Sequence, residues 1–467
     1  MIRAVVGAGG KTSLIKAYAK AFLAEGKRVF VTTATHMFIE KETLLTDEAA
    51  VLIDVLEEKG YVMAGLPAGE KIQPLSAKTY LAVCEAAEEV LVEADGSKHM
   101  PLKFPNEREP VIPTNVEEII IVCGLQAIGK QAKEVCHRLE LVKVCLDIEE
   151  DTIITASHIQ KLVQKGYVEP LKEKYPEKNI RIEPNHDGSL YQRAVSSLMK
   201  YGMDVSLIEE AWFHAQPHLV ICGGGHVSRE LVKMAHCLDF RIKVMDDREE
   251  FANRERFPLA DEVICDSFEN LEKYLEPDAY YVVVSREHKD DFICVRTILQ
   301  HSYAYLGMIG SKGKVQKNFE NLRKDGVSEE KIGTIHAPIG LKIGAVTPAE
   351  IAVSILAEVI QEKNKKQKSS VSRELLETKE KGVLCIIIGK TGSSPRGVGS
   401  MLFVGENRVI DSIGGGAVEY AAIRQAQSVT EPMIRAYDLS EKDKVELGMI
   451  CGGENTVLFI PIEGEKV

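Results

Sequence analysis

The chain opens on a strand that runs directly into a glycine loop and then a helix. Ile2-Arg3-Ala4-Val5-Val6 is an apolar run, and Gly7-Ala8-Gly9-Gly10-Lys11-Thr12-Ser13 follows it. Leu14, Ala17, Tyr18, Ala21 and Phe22 then recur at helical spacing over roughly 12–25, with Gly26 as the stop. A strand from Arg28 to Thr33 completes a βαβ unit, which commits this stretch to a parallel sheet. The same order returns further on. Strand His218 to Ile221 leads into Gly223-Gly224-Gly225-His226-Val227-Ser228, a helix to about Leu238 and a strand from Arg241 to Met245.

Further strands read at Val90 to Ala94, Glu118 to Cys123, Tyr280 to Ser285 and Ala304 to Ile309. Thr347-Pro348-Ala349-Glu350 supplies an N-cap Thr, an N1 Pro and an N3 Glu for a helix running to about Lys363. The lysine-rich run from Lys363 to Ser370 reads as a linker. Beyond it come strands Val383 to Ile388, Met401 to Val404 and Thr456 to Ile460, and a helix near Ala417 to Gln427. The expected fold class is α/β, in three units. A P-loop-like α/β domain covers 1–205, a Rossmann-like doubly wound domain covers 206–364, and a small α+β domain covers 371–467.

Composition narrows the function classes. The net charge is −12, and no Lys/Arg block exceeds two residues, which argues against nucleic acid as a partner. The aliphatic runs fall far short of the ~20 residues a membrane span needs. The chain enters its first strand with no room for a signal peptide, so a cytoplasmic location is expected. The ten cysteines include no C-x-x-C pair, which argues against a zinc ribbon or a disulfide framework. Most sit in apolar runs as small hydrophobes; Cys451 is set among glycines instead.

Each glycine loop carries a chemical reading and a plainer one. Gly7, Gly9 and Gly10 bring backbone N–H groups and a helix dipole to bear on an anion. Lys11 is placed to neutralise phosphate, and the Thr12 or Ser13 hydroxyl to hold Mg²⁺. The plain alternative is a glycine turn with a surface lysine. The pattern is the short G-x-x-G-K-[TS] form, with Val5 where the longer motif has glycine, and it resembles the loop of Mur-type amide ligases. Glu93 and Asp95 end an apolar strand, where an NTPase carries its second metal-holding acid; Asp95 is the expected Mg²⁺ ligand alongside Thr12. A solvated strand end is the alternative. His36 leaves a neighbouring strand at the same edge, and a lone histidine there is more often structural.

In the second unit, Gly223, Gly225 and His226 open a Rossmann fingerprint whose third glycine is Ser228, and Asp246 stands where an acid would bond a ribose hydroxyl. A domain that keeps the turn and binds no dinucleotide is the alternative. In the third, Gly414, Gly415 and Gly416 open a helix bearing Glu419 and form another candidate anion site. Arg396 is a candidate phosphate grip, and Cys451 a soft thiol that two glycines leave approachable. A buried small residue at a turn is the alternative for Cys451.

These motifs carry resemblances. Gly7 to Ser13, Thr32 to His36, Glu93 to Lys98 with Pro101-Leu102-Lys103, Glu109-Pro110-Val111-Ile112-Pro113 and Val135-Cys136-His137-Arg138 resemble the YqeC family, accessory factors of selenium-dependent molybdenum hydroxylases. The XdhC/CoxI family of xanthine and carbon monoxide dehydrogenase accessory proteins is resembled at Gly223 to Ser228, Asp246 to Glu249, Arg256-Phe257-Pro258 and Tyr305 to Ser311. The same family is resembled at Ala337 to Leu341, Thr347 to Glu358, Gly392 to Arg396, Gly414 to Glu419 and Cys451-Gly452-Gly453. The half containing Gly392 to Arg396 normally precedes the Rossmann half; here it follows, so the order is permuted and fused.

The resemblance implies a maturation and insertion factor. It would bind molybdenum cofactor, molybdopterin in a dinucleotide form, assist sulfur or selenium ligation, and deliver it to a client molybdenum hydroxylase. Cys451 would face molybdenum, with Arg396, Gly414 to Gly416, Glu419, Gly223, Gly225, His226 and Asp246 around the cofactor. The first unit would bind ATP or GTP with Mg²⁺ and is a candidate NTPase. A sulfur or selenium donor protein and a homodimer are the further expected partners. Two rivals stand beside this reading: an NAD(P)-dependent oxidoreductase, for which no Tyr-x-x-x-Lys pair stands out, and an ATP-dependent ligase- or kinase-like enzyme.

Overall fold

Strands that are apolar on both faces must be covered on both faces, and the first sheet follows from that. The computed structural model describes residues 1–96, 99–185, 188–213, 216–366, 371–392, 396–438 and 453–464. Seven parallel strands form the first sheet in the order Asn179–Asn185, Glu118–Gly124, Ile2–Gly7, Glu89–Glu93, Val29–Thr33, Tyr61–Ala64 and Thr43–Leu44. The opening strand is therefore central. Its neighbours put Glu93 on one side of the glycine loop and Val122 on the other. Helix Lys11–Ala24 packs Ile15 and Ala19 against Val5, Val29, Val31 and Leu91 on one face.

Short strands sit over the carboxyl edge of this sheet. Met37–Phe38 pairs with Lys71–Gln73, and Leu102–Lys103 pairs in parallel with Cys136–His137. They bring residues from distant parts of the chain to the end of the opening strand.

The second sheet has five parallel strands. In chain order they are His218–Cys222, Arg241–Asp246, Glu262–Cys265, Tyr280–Val283 and Tyr305–Met308, and they lie side by side as 3-2-1-4-5. That is the Rossmann order, with the reversal beside the first strand. Helices His226–His236 and Pro348–Lys366 cover one face, and helices His288–Ile298 and Lys312–Lys324 the other. The Thr347 capping box forms as the sequence predicts: Glu350 N–H donates to Thr347 Oγ1 at 3.3 Å, and Thr347 N–H to Glu350 Oε2 at 2.9 Å.

The third sheet is antiparallel, in the order Val409–Asp411, Met401–Gly405, Gly382–Gly392, Gly453–Ile462 and Met433–Asp438. Alternation gives it two apolar faces. Val383, Cys385 and Ile387 meet Val418 and Ala422 of helix Gly416–Ala426. Leu384, Ile386, Phe403, Leu458 and Ile460 join the same core as Leu190, Ala194 and Leu198 of helix Leu190–Lys200. The third sheet thus shares a core with the first unit, across the Rossmann segment in sequence. Arg373 ties it to the Rossmann unit by a two-pronged pair with Asp261, at 2.6 and 3.1 Å.

Arg193 pins the shared core. It is 3% exposed and donates to the carbonyls of Thr378, Glu380 (3.1 Å) and Glu463 (3.0 Å). Arg193→Met keeps the apolar stem and strips three carbonyls of their donor; only the Thr378 bond is buried, so the loss is about 1–3 kcal/mol, the cost of one unmet buried group. Hydrogen exchange should accelerate in Gly382–Gly392 and Gly453–Ile462 while the Rossmann strands stay protected. Unchanged exchange in both segments would contradict this.

Candidate functional site

The opening loop is built by close approaches. Gly10 has φ +135°, and a Cβ there would lie 2.4 Å from Asn185 Nδ2, which itself donates to Gly9 O at 2.7 Å. Helix Lys11–Ala24 starts with no side-chain cap, so the N–H groups of its first turn face the loop's own cavity. That cavity measures about 780 Å³ and is lined by Gly9 to Ser13, Thr35, Glu93, Gln126 and Arg138 among others.

Lys11 is not a surface lysine. It is 4% exposed, donates to Gly7 O at 2.7 Å and pairs with Asp95 Oδ1 at 3.0 Å. Asp95 is fully buried, and its other oxygen accepts from Gly7 N–H (3.1 Å) and Tyr167 Oη (2.9 Å) and faces Lys103 Nζ (3.3 Å). Lys103 continues to Glu109 at 2.6 Å, and Arg138 grips Glu109 with two nitrogens. Burial pushes the Glu109 carboxyl up, but the bonds from Arg138 and Lys103 outweigh it and hold it at about 2. Tyr167 reaches Asp95 from a π-helical turn, Gln164–Val168. Burial first, and the Asp95 charge second, keep its hydroxyl protonated well above the usual range.

Glu93 is treated differently by its surroundings. It is 7% exposed, and its Oε2 has no hydrogen-bond partner among the described residues. Burial, with Lys11 partly opposing it, raises its carboxyl to about 7. The folded protein thus holds this proton up to about pH 7, whereas the unfolded chain releases it near 4.5. Stability from this group is fully present below about 4.5 and is lost as pH rises through 7, to the extent of about 3 kcal/mol. In EDTA, urea titrations of wild type should weaken from pH 5 to pH 8. Glu93→Gln should flatten that trend, and parallel curves would refute it.

The Rossmann loop is held from within. Gly224 N–H donates to Asp246 Oδ2 at 2.7 Å, and Arg248 meets both oxygens of Asp246 at 2.9 and 3.0 Å. Asp246 is 1% exposed, so the carboxylate placed for a ribose is engaged by the chain itself. A Cβ at Gly224 would lie 2.1 Å from Phe251 O, because the segment after Arg248 folds over the loop. Phe251 lies between Arg248 and Arg256, whose guanidinium carbons are 3.9 and 4.9 Å from its ring centre. Ser228 is buried and donates to Gly223 O, a contact a third glycine would lack. Space beside Gly225 is open, His226 is exposed, and no side chain caps helix His226–His236. Bordering the loop, Ser285 donates to buried Asp291, which pairs with Lys314.

The third loop is filled by its own helix. Glu419 Oε2 accepts from Ser412 Oγ and from the N–H groups of Ile413 and Gly415, the two amides at 3.0 Å each. The loop of Gly414 to Gly416 therefore closes on Glu419. Arg396 is half-buried beside this unit, and its carbonyl accepts from Lys390 at 3.3 Å. Cys451 lies outside the described residues, as do Ser393, Ser394 and Pro395.

The first cavity thus gathers Lys11, Thr12, Ser13 and Glu93, with Asp95 in the layer beneath. Lys103, Glu109 and Arg138 stand in motifs that carried the resemblance, yet motif reading gave them no role; a lysine between Leu102 and Phe104 was the available signal. Tyr167 and Asn185 gave none. Among the described residues no group of three or more His, Cys, Asp or Glu side chains is placed to hold a metal by itself, and no helix is long and apolar enough to cross a membrane.

The fold and these loops define a chain of two strand–glycine loop–helix sheets with an antiparallel sheet closing on the first. Family models match it in three segments: YqeC protein over residues 3–140, XdhC Rossmann domain over 219–359, and XdhC and CoxI family over 375–438. The three matches follow one another along the chain, the YqeC match first and the XdhC and CoxI match last. Escherichia coli (strain K12) YqeB is 38% identical over 32% of this chain, and YqeC from the same organism is 33% identical over 34%. A probable xanthine dehydrogenase subunit of Bacillus subtilis (strain 168) is 28% identical over 31%. The matches span 28%, 66% and 43% of those relatives' own lengths. A crystal structure of a xanthine dehydrogenase from Bacillus halodurans is 29% identical, covering 32% of this chain and 44% of that one, with a TM-score of 0.30.

Proposed function

We propose that this chain is a maturation factor for a molybdenum hydroxylase of the xanthine dehydrogenase type, acting in the cytoplasm. The observation that carries the reading is that both XdhC-type segments stand in one chain with a YqeC segment. The ligand would be molybdenum cofactor, whose bound molybdenum would accept a sulfur or selenium ligand from a donor protein before transfer to the client. Gly225 and His226, at an uncapped helix start with open space beside it, would hold a phosphate of its dinucleotide form. Cys451 would supply the soft contact to molybdenum. Arg396 would add charge.

The first unit would bind a nucleoside triphosphate, ATP or GTP. Its cavity offers an open helix N-terminus, the Thr12 and Ser13 hydroxyls and the Lys11 ammonium. Phosphate entry would draw Lys11 from Asp95, and that exchange would couple the nucleotide through Lys103 to Glu109 and Arg138, which line the same cavity. Hydrolysis and a homodimeric state are part of the same reading. An NAD(P)-dependent oxidoreductase is favoured less, because both oxygens of Asp246 are already engaged.

The test is co-expression of the full chain with an apo-hydroxylase client, reading client activity and chain-bound molybdopterin. Wild type should retain cofactor and activate the client. Cys451→Ser should melt as wild type does yet lose cofactor retention or transfer. A wild-type chain that retains no molybdopterin and leaves the client inactive would overturn the reading.

A further inference from the structure

We propose a divalent-cation site in the first cavity, built from the Glu93 carboxylate and the Thr35 hydroxyl and completed by water and by oxygens of a bound phosphate. The phosphate's share rests on the nucleotide reading of the Gly7 to Ser13 loop; the protein's share does not.

The argument begins with unmet polar atoms. Glu93 Oε2 and Thr35 Oγ1 are both buried, both lack a hydrogen-bond partner among the described residues, and both residues line the cavity. Buried polar atoms are rarely left so, because desolvation without a partner is costly. The two belong to one rigid piece of backbone. Ala34 N–H donates to Glu93 O at 2.8 Å, Thr33 Oγ1 donates to the same carbonyl at 3.0 Å, and Thr35 N–H donates to Thr33 Oγ1 at 3.0 Å.

Among the described residues no lysine forms an ion pair with Glu93, and Lys11 only partly offsets its burial. Lys11 is committed to Asp95 and Gly7 O, Lys103 to Asp95, Glu109 and Gly96 O, and Lys71 lies over the Phe38 ring. Asp95 is poorly suited to a cation, since four groups already surround it and none of it reaches solvent. The two carboxylates, two residues apart, therefore divide the work: Asp95 holds the lysines and Glu93 faces the cavity. Hard oxygen donors, one carboxylate and a hydroxyl beside a phosphate loop make the donor set of Mg²⁺ or Mn²⁺. Mg²⁺ takes one or two carboxylates, keeps several waters and shares phosphate oxygens.

Mn²⁺ is the probe, titrated into the full chain by electron paramagnetic resonance, alone and with adenylyl imidodiphosphate. Glu93→Gln should lower Mn²⁺ affinity at least about tenfold, the scale on which even outer-shell partners act. It should not lower the melting temperature. Thr35→Val should weaken Mn²⁺ several-fold and carries the test if Glu93→Gln fails to fold. Equal Mn²⁺ binding by wild type and both variants would overturn the site while leaving the nucleotide reading intact. Mn²⁺ binding lost in the variants, with no analogue bound by any of them, would uphold the site and overturn the nucleotide reading.

Discussion

Asp95→Ala is expected to destabilise the first unit by about 3–5 kcal/mol, the scale seen when one partner of a buried ion pair is removed. The carboxylate is fully buried and faces Lys11 and Lys103, which are 4% and 1% exposed. Without it, Lys11 keeps only Gly7 O, and Gly7 N–H and Tyr167 Oη lose their acceptor. Lys103 retains Glu109, so the loss falls mainly on Lys11 and the loop. Asp95→Asn keeps the shape and should cost less. Chemical denaturation of Asp95→Asn, Lys11→Met and the double variant isolates the pair. Removing Lys11 should be less harmful once Asp95 is neutral, by about 1–3 kcal/mol of coupling. Strictly additive losses would show that the two charges do not act as a pair.

Lys11→Ala is expected to weaken ATP or GTP binding roughly 100-fold, the equivalent of one charge-assisted contact of about 1.5–3 kcal/mol. Lys11 points at Asp95, so a phosphate must compete for it. The competition is feasible because Asp95 keeps Gly7 N–H, Tyr167 and Lys103 when Lys11 leaves. Isothermal titration of wild type and variant with each nucleotide decides it, with melting curves to confirm that both are folded. Equal affinities would remove the Gly7 to Ser13 loop from phosphate binding.

Local rules carried the sequence reading far where the chain's neighbours in sequence are also its neighbours in space. The strand–loop–helix units and the Thr347–Glu350 box depend on contacts a few residues long, and both are present. The capture of Lys11 by Asp95 joins the first residue of helix Lys11–Ala24 to a residue just past strand Glu89–Glu93, far apart in sequence, and no spacing rule announces it. Glu419 was a nearer miss. An acidic residue in the first turn after a glycine loop can be the loop's anion, and here three donors converge on it. Asp246 shows the same ambiguity: the acid that would bond a ribose also suits an arginine two residues on. A motif specifies donors and acceptors; it does not say whether the partner comes from outside.

Helix Leu190–Lys200 has an apolar face whose covering strands include Gly453–Ile462, more than 250 residues later in the chain. Ribosomes at about 5–20 residues per second take on the order of ten to fifty seconds over that distance. During that interval the helix face lacks part of its cover, while the Rossmann segment is completed within it and is free to fold. Nascent chains should therefore pass through a state with a finished middle and an exposed flank. A fragment stopped near residue 205 would keep that flank exposed for good, prone to self-association and dependent on chaperones. Separate production of the first unit accordingly calls for the antiparallel sheet to be supplied with it, as a split pair or spliced directly after the helix.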